Sequence, residues 1–292
     1  MADDRYDVLV VGSGPAGSVA ALVLARGGAR VALLDKARFP RDKACGDLVG
    51  PRGVQVLNDL GVAVPGTLTV ADMVVVGPTG RRVRLPCVPG LTYPGHALAV
   101  PRARFDDALR EAAVGAGAIP VTGQARDPVG GPSGLGGFTL AGGGQVRADV
   151  VIGADGATSR VAEAAGLVDA GRVLWGFAVR SYLEVPVDAP YIVFWERRRW
   201  RGVPGYGWLF PGPGGCANVG FGIGTRGDRV PAAQAVRLLP EFLEHLADLG
   251  LLADPAPGAT RLGGWLKMGM VGTIPAVGGV LLVGDAAGLV NP

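Results

Sequence analysis

One glycine-rich turn near the N-terminus constrains the fold more than any other part of the sequence. The turn is Gly12-Ser13-Gly14-Pro15-Ala16-Gly17, and Ala20 follows it. A run typical of a buried strand, Tyr6–Val11, precedes the turn, and a run typical of a helix, Pro15–Arg26, continues from it. Glycines in this pattern allow a tight turn, close approach of the backbone to a pyrophosphate, and close packing of helix on sheet. The sequence therefore predicts a strand–turn–helix unit of the dinucleotide-binding type.

An acidic residue stands at the end of the next predicted strand. Arg30–Leu34 predicts that strand, and Asp35 follows it directly, with Lys36 adjacent. A carboxylate at this place can accept hydrogen bonds from ribose hydroxyls, while the helix N-terminus attracts phosphate. The predicted dinucleotide-binding residues of this unit are Gly12, Gly14, Pro15, Ala16, Gly17, Asp35 and Lys36. The alternative is a glycine-rich helix start whose acidic residue is only a surface charge.

Composition excludes several classes of protein. Of 292 residues, 50 are Gly and 23 are Pro, but 49% are hydrophobic and 18% are charged, which excludes a disordered polymer. The formal net charge of +3 is too small to indicate nucleic-acid binding. The N-terminus, Met1–Arg5, is acidic where a signal peptide would be basic. Glycines and prolines break both long uncharged runs, Val8–Ala25 and Met268–Gly284, so we expect a cytoplasmic protein.

Cysteine and histidine are too few and too scattered for a metal centre. The cysteines are Cys45, Cys87 and Cys216, and the histidines are His96 and His245. No two cysteines form a C-x-x-C pair, so we expect neither a disulfide framework nor a zinc site. With no metal and no histidine-based triad, we expect a bound organic cofactor to carry the chemistry.

The remaining pattern predicts an α/β chain with a discontinuous domain. Helices are predicted at Gly53–Leu60, Arg102–Ala113 and Pro231–Leu249, the last one interrupted at Pro240. Residues 128–144 predict a glycine-rich loop and a short strand, and residues 172–224 predict several strands. The predicted fold class is a Rossmann-like FAD/NAD(P)-binding domain with an inserted β-sheet substrate domain. The predicted bounds are 1–65, 97–170 and 270–292 for the first domain, and 66–96 and 171–269 for the second.

Two later segments add to the first motif. Asp155-Gly156 follows the strand-like run Val150–Ile152, and Gly284-Asp285 follows Val280–Val283. With three motifs in this order, the chain resembles the large p-hydroxybenzoate hydroxylase-like FAD-binding family, which includes aromatic hydroxylases, flavin halogenases and geranylgeranyl reductases. The resemblance implies that Gly284 and Asp285 bind the ribityl chain of FAD. It also implies that Asp155 and Gly156 lie near the pyrophosphate.

Three stretches resemble the geranylgeranyl reductase branch in particular. They are Phe39–Gly46 with Pro51–Gly53, then Pro101–Leu109, then Tyr206–Pro211 with Asn218–Gly222. A halogenase is disfavoured, because halogenases carry Trp and Ile where this chain has Tyr206 and Phe210. The resemblance implies that Cys45 and Gly46 lie beside the flavin ring, that Arg102 approaches FAD, and that the Ala125 backbone meets the adenine. It also implies that Tyr206, Trp208 and Phe210 shape the substrate cavity.

Several of these residues have a structural alternative. Cys45 can be a small buried residue without a chemical role, and Arg102 can cap a helix. The aromatic side chains can form the wall of the cavity without taking part in catalysis. The basic cluster Arg197–Arg201, close to Trp195, favours a solvated hairpin, with contact to an anionic membrane surface as the alternative.

The resemblance implies an FAD-dependent reductase that saturates C=C bonds of an isoprenoid chain by hydride transfer from reduced flavin. Cys45, Tyr206 or an ordered water would give the proton. One alternative is a flavin monooxygenase or oxidase of a small metabolite. The other is an inactive flavin-binding fragment, because the sequence stops at Asn291-Pro292, where relatives continue. Since no second dinucleotide motif is present, we expect an external reductant, either NAD(P)H or an electron-donor protein, and a prenylated or other apolar substrate.

Overall fold

The computed structural model describes residues 5–88, 93–132, 134–195, 205–224, 232–253 and 261–290. The chain divides into two compact units. The first comprises Met1–Arg41, Phe105–Leu174 and Leu266–Pro292, and the second comprises Asp42–Arg104 and Trp175–Trp265. Within the described ranges, no helix is both long and apolar enough to cross a membrane.

The described part of the chain contains several runs of consecutive strands separated by helices. The strands are β1 (Arg5–Val11), β2 (Val31–Asp35), β3 (Leu48–Val49), β4 (Leu68–Val70), β5 (Met73–Val76), β6 (Arg82–Leu85), β7 (Ala97–Ala99), β8 (Ile119–Thr122), β9 (Ala125–Gly131), β10 (Gly134–Leu140), β11 (Gln145–Gly153), β12 (Leu174–Leu183), β13 (Tyr191–Val193), β14 (Gly205–Pro211), β15 (Ala217–Gly224), β16 (Arg261–Met268), β17 (Ala276–Val277) and β18 (Val280–Leu282). The helices are α1 (Pro15–Arg26), α2 (Pro51–Asp59), α3 (Arg102–Gly115), α4 (Arg160–Ala164) and α5 (Ala232–Asp248).

The first unit is built on an eight-stranded sheet with a parallel centre. Its main path runs β17-β18-β11-β1-β2-β8, and the β9–β10 hairpin extends from β11. The pairs β18–β11, β11–β1, β1–β2 and β2–β8 are parallel. The centre of the sheet is buried, with Leu9, Ala32 and Val151 at 0% exposure. Near-continuous apolar strands are typical of parallel sheets covered on both faces, so the predicted α/β fold class is confirmed.

The second unit is built on a seven-stranded sheet in the order β16-β12-β15-β14-β13-β5-β6. The β12–β15, β15–β14 and β14–β13 pairs are antiparallel. Helix α5 covers one face of this sheet, because its fully buried Leu239, Phe242, Leu243 and Leu246 recur at helical spacing. The strand residues that meet α5 include Val179, Leu209 and Val219. Since strand side chains alternate between faces, their neighbours in sequence lie on the opposite face.

Two local predictions are wrong. Helix α5 runs through Pro240 without the predicted interruption, because buried leucines on both sides of Pro240 hold the helix on the sheet. The glycine-rich stretch predicted as a loop forms the β9–β10 hairpin. Glycine suits this hairpin because the strands approach closely: a Cβ atom on Gly131 would lie 2.7 Å from the Gly136 Cα atom.

The compact units also differ from the predicted domain bounds. Residues 42–65 and 97–104 group with the second unit, whereas the sequence prediction gave them to the FAD-binding domain. The cause is a small sheet in which β7 pairs with both β3 and β4. The predicted basic cluster at 197–201 and the terminal Asn291-Pro292 lie outside the described residues.

Candidate active site

In the first unit, the predicted cofactor-binding motifs meet at one edge of the parallel sheet. The glycine turn follows β1, Asp35 ends β2, Asp155 comes after β11, and Gly284-Asp285 comes after β18. Because these four strands run parallel, their carboxyl ends lie side by side. Ligands of open α/β sheets bind at this edge.

The β1–α1 turn is packed so tightly that side chains are excluded from it. A Cβ atom on Gly12, whose φ is 104°, would lie 2.3 Å from the Ala154 carbonyl oxygen, and one on Gly17 would lie 1.8 Å from the Gly12 carbonyl oxygen. Gly14 differs, because the nearest atom to its added Cβ, Nη2 of Arg41, is 3.7 Å away. The backbone at Gly14 is therefore open to a ligand, with a guanidinium beside it.

Asp35 fixes the loops around this turn. Its carboxylate accepts hydrogen bonds from the Ser13 N–H at 2.7 Å and the Ala37 N–H at 2.8 Å. Its backbone oxygen accepts from the Gly123 N–H at 2.9 Å, which brings the segment leading to Ala125 to the same edge. The Ala125 side chain is buried in the core, and Lys36 is exposed. A half-buried carboxylate oriented by two amides is suited to receive a ribose hydroxyl.

Asp155 has a structural task that the sequence did not predict. Its carboxylate accepts from the Ser159 hydroxyl at 2.5 Å, the Arg160 N–H at 2.7 Å and the Val161 N–H at 3.3 Å, and so caps α4. Burial raises the pKa of Asp155, and these hydrogen bonds oppose that rise. Gly156 follows in a left-handed conformation with no atom within 4 Å of an added Cβ.

The Gly-Asp motif packs against the start of α1. A Cβ atom on Gly284 would lie 2.9 Å from the Ala16 Cβ atom. Nearby, the buried Lys267 has a pKa lowered by burial, which the charges of Asp155 and Asp285 oppose. Because Lys267 interacts with the charges of both Asp155 and Asp285, it belongs with the residues at this edge of the sheet, although no sequence motif indicated it.

In the second unit, three aromatic side chains follow one another along β14. Tyr206, Trp208 and Phe210 alternate with Gly207 and Leu209, so they lie on the face opposite α5. Successive ring centroids are 6.4 Å apart. Exposure falls from 40% at Tyr206 to 7% at each of the other two. The predicted substrate residues are therefore brought together as a row that begins at the surface.

Glycines on the neighbouring strand make room for this row. Gly220 pairs with Trp208, and Gly222 pairs with Tyr206. A Cβ atom on Gly220 would lie 2.1 Å from the indole, so a side chain cannot occupy this position. Residues Val219–Gly222 therefore lie inside β15, where Gly220 accommodates Trp208.

The Cys45 segment crosses the same face. Asn218 donates from Nδ2 to the Cys45 carbonyl oxygen at 2.8 Å and to Asp47 Oδ2 at 2.9 Å. A Cβ atom on Gly46 would lie 2.9 Å from the Phe210 ring. Arg102 is buried, and its backbone N–H donates to Asp47 Oδ1 at 3.3 Å. Cys45, Gly46, Arg102 and the aromatic row therefore form one group.

The two predicted catalytic residues interact electrostatically. Burial raises the pKa of Tyr206, and a coulombic interaction with Cys45 raises it further. A phenol with a raised pKa stays protonated at neutral pH. Tyr206 can therefore hold a proton at this face.

Sequence reasoning missed a second layer of residues beneath this face. Asp47 accepts a short hydrogen bond from the Tyr182 hydroxyl, and the fully buried Arg180 pairs with Asp42. The Arg180 guanidinium also lies 4.2 Å from the centroid of the Tyr182 ring. The one available signal was Arg180 and Tyr182, polar residues at alternate positions of a strand that is apolar except for these two and Ser181.

Comparison with known proteins agrees with this geometry. Residues 5–178 match the family described as FAD binding domain. The chain is 38% identical over 300 residues to menaquinone reductase of Mycolicibacterium smegmatis, covering 99% of this chain and 71% of that protein. It is 33% identical to digeranylgeranylglycerophospholipid reductase 2 of Methanopyrus kandleri, and the match covers 99% of this chain and 72% of that protein. This chain belongs to the geranylgeranyl reductase family of FAD-dependent oxidoreductases.

A solved structure of this reductase family superposes on most of the chain. The geranylgeranyl bacteriochlorophyll reductase-like protein of Thermoplasma acidophilum gives a TM-score of 0.77 at 27% identity, covering 98% of this chain and 72% of that one. The predicted family, the enzyme class and FAD as cofactor are confirmed. The roles of the individual residues stay predictions.

The residues of the first unit fit FAD. The open backbone at Gly14, the α1 N-terminus without a side-chain cap and the adjacent Arg41 suit a pyrophosphate. Asp35 stands where a ribose is bound in dinucleotide folds. A member of this reductase family would hold the cofactor with these residues.

Proposed function

We propose that the chain reduces C=C bonds in the isoprenoid part of a prenylated, apolar substrate. The named activities of its relatives support this proposal, since menaquinones and digeranylgeranylglycerophospholipids both carry isoprenoid chains. Between them, a prenylated quinone is favoured here, because the identity to menaquinone reductase is higher.

The observation that carries the proposal is the aromatic row of Tyr206, Trp208 and Phe210. The rings of Trp208 and Phe210 stack, and the Tyr206 ring is tilted against Trp208. Because the Trp208 N–H is already paired with Asn218, these rings beside the glycines of β15 offer an isoprenoid chain a largely apolar surface. The row starts at the half-exposed Tyr206 and ends at the buried Phe210. A long flexible chain can therefore reach the row at Tyr206, while the Cys45 segment covers its buried end at Phe210.

Reduction of an alkene requires a hydride at one carbon and a proton at the other. Reduced FAD, when bound, supplies the hydride. Tyr206 is our first proton donor, because its hydroxyl is protonated at neutral pH, it belongs to the aromatic row, and its exposure lets solvent replace the proton. Cys45, which lies near it, is the second candidate.

The electrons must be delivered from outside the chain. The sequence contains one dinucleotide motif, and Gly220–Gly224 lies within β15 instead of opening a helix. We therefore propose NAD(P)H or an electron-donor protein as a transient reductant.

An anaerobic assay tests the proposed function. The purified chain is loaded with FAD, reduced with dithionite and incubated with a menaquinone, and the product is analysed by mass spectrometry after reoxidation of the quinone ring. Retention of two added hydrogens in the side chain supports the proposal. Reduction confined to the quinone ring contradicts it, as does a product that gains oxygen and forms only in air, which would indicate a monooxygenase.

A further inference from the structure

A short segment, Asp42–Asp47, is held at several points on the face of the seven-stranded sheet opposite α5. Asp42 pairs with the buried Arg180 at one end, and Asp47 accepts hydrogen bonds from Tyr182, Asn218 and the Arg102 backbone at the other. Between these ends, Gly46 packs on the Phe210 ring. Cys45 therefore sits in a segment whose position is determined by the side chains beneath it.

Asn218 is the central fastening of this segment. It is 2% exposed and lies on β15 opposite Phe210. Its Oδ1 accepts from the Trp208 indole N–H at 2.8 Å, and its Nδ2 donates to both the Cys45 carbonyl oxygen and Asp47 Oδ2. An indole N–H can only donate, so Trp208 determines which end of the amide carries the oxygen. Both Nδ2 hydrogens are then directed at the Cys45 segment.

The backbone at Asp47 needs such support. Its φ is 60°, in the left-handed region that residues other than glycine rarely adopt. Residues held in sparsely populated conformations persist when surrounding contacts over-determine them. Here Asn218 bonds the residues on both sides of Gly46, so it fixes the turn that presents the Cys45 side chain.

We propose that Asn218 is a positioning residue that holds the Cys45 thiol in place for the reaction at the aromatic row. The catalytic consequence rests on the proposed function, but the positioning itself does not. Trp208 has two roles in this arrangement: its ring belongs to the predicted wall of the substrate cavity, and its N–H orients Asn218. The consequence is that loss of Asn218 frees Cys45 while the fold of the sheet remains.

The test measures alkylation of Cys45 by iodoacetamide, followed by mass spectrometry of the Cys45 peptide, with no substrate present. Asn218→Leu keeps the size of the side chain and removes all three hydrogen bonds. We expect Cys45 to react about fivefold faster, since an unfastened segment opens more often, while Cys87 in the same sample stays within about twofold. The matched control is Asn58→Leu on the exposed face of α2, which should change neither rate.

Exchanging the side chains of Asn218 and Asp47 keeps the proposal testable if a single variant fails to fold. Asn218→Asp places its carboxylate against that of Asp47 across a buried hydrogen bond. Adding Asp47→Asn restores a donor and an acceptor between these two side chains, but the Cys45 carbonyl oxygen still lacks the donor that Asn218 gave it. We expect the single variant to raise the Cys45 rate, or to unfold, and the double variant to recover folding and part of the original slow rate.

Two results would overturn the positioning role. The first is an unchanged Cys45 rate in a folded Asn218→Leu chain, and the second is a swap that restores neither folding nor the slow rate. In the alkene assay, Asn218→Leu should lower kcat by about tenfold with KM within about twofold, because binding surfaces remain and only the reacting group moves. A chain that shows the alkylation effect but reduces no alkene contradicts the proposed function and leaves the positioning intact.

Discussion

Gly220 on β15 lies directly opposite Trp208 on β14, and a methyl group added at Gly220 would lie 2.1 Å from the indole ring. This relationship explains why the strand carries glycine at a position where a β-branched residue would otherwise be favoured. The absence of a side chain at Gly220 leaves room for the large ring beside β15. The same ring then reaches Asn218 with its N–H.

Replacement of Gly220 by alanine should therefore displace the indole. We expect Gly220→Ala to lower the free energy of unfolding by about 1–3 kcal/mol, the usual cost of overpacking. Gly222→Ala is the matched control, since its Cβ atom would lie 3.7 Å from Ala178, an ordinary contact. Urea unfolding of both variants checks this, and equal destabilisation of the two would contradict it.

Two substitutions in the glycine turn after β1 distinguish an effect on cofactor binding from an effect on folding. Gly14→Ala adds a methyl group that meets no atom of the chain closer than 3.7 Å, so the fold should be unaffected. If the pyrophosphate lies against this backbone, FAD affinity should fall about tenfold or more, equivalent to about 1.4 kcal/mol. Titration with FAD, followed by flavin fluorescence, measures the change.

Gly17→Ala gives the contrasting result. Its Cβ atom would lie 1.8 Å from the Gly12 carbonyl oxygen and 2.9 Å from the Ala154 Cβ atom, so helix and sheet must separate. We expect Gly17→Ala to lower the stability of the chain even without FAD.

For Gly14→Ala, an unaltered FAD affinity would show that the pyrophosphate lies elsewhere.

Removal of the Tyr206 hydroxyl tests the assigned proton donor. Tyr206→Phe should lower kcat for alkene reduction by about 100-fold, typical of a lost general acid, with little change in KM because the ring remains. Tyr93→Phe is the control, since Tyr93 is 39% exposed against 40% for Tyr206. An unchanged kcat in Tyr206→Phe with a large loss in Cys45→Ser would transfer the role to Cys45.

The sequence predicted that these motifs share one edge of the sheet because each of their signals is local. The glycine turn and the Gly-Asp motif follow strands with an apolar carboxyl-terminal half, and Asp35 ends such a strand, so their common edge follows from parallel pairing. The structure adds what lies between them. The packing of Gly284 on Ala16, and the interaction of Lys267 with Asp155 and Asp285, depend on segments far apart in the chain.

The support beneath Cys45 could not have been predicted in this way. Asp47, Arg102, Tyr182 and Asn218 come from four separate stretches, and no spacing rule relates them. The continuity of α5 through Pro240 is a similar case, because tertiary burial of leucines outweighs the local preference of proline to end a helix. In both cases the deciding interactions are long-range.

His245 should make the free energy of unfolding depend on pH. Its ring stacks on Trp195 at 5.8 Å, and its Nε2 is buried without a hydrogen-bond partner among the described residues. Burial lowers the pKa of His245 below its ordinary 6.5, while the charge of Asp248 opposes this. The unfolded chain therefore takes up a proton that the folded chain resists, and stability should fall as pH drops below 6.5.

Two substitutions separate this cause from general acid denaturation. His245→Phe keeps a ring on Trp195 and removes the titration, so the slope of stability against pH just below 6.5 should become shallower. At higher pH the variant should match the native chain or exceed it by about 1 kcal/mol, because an unpaired buried nitrogen is gone. Asp248→Asn removes the opposing charge and should make the slope steeper, since the His245 pKa falls further. Thermal unfolding of the native chain and both variants across this pH range measures the slope of stability against pH. An identical slope in His245→Phe would mean that another group causes the loss of stability at low pH.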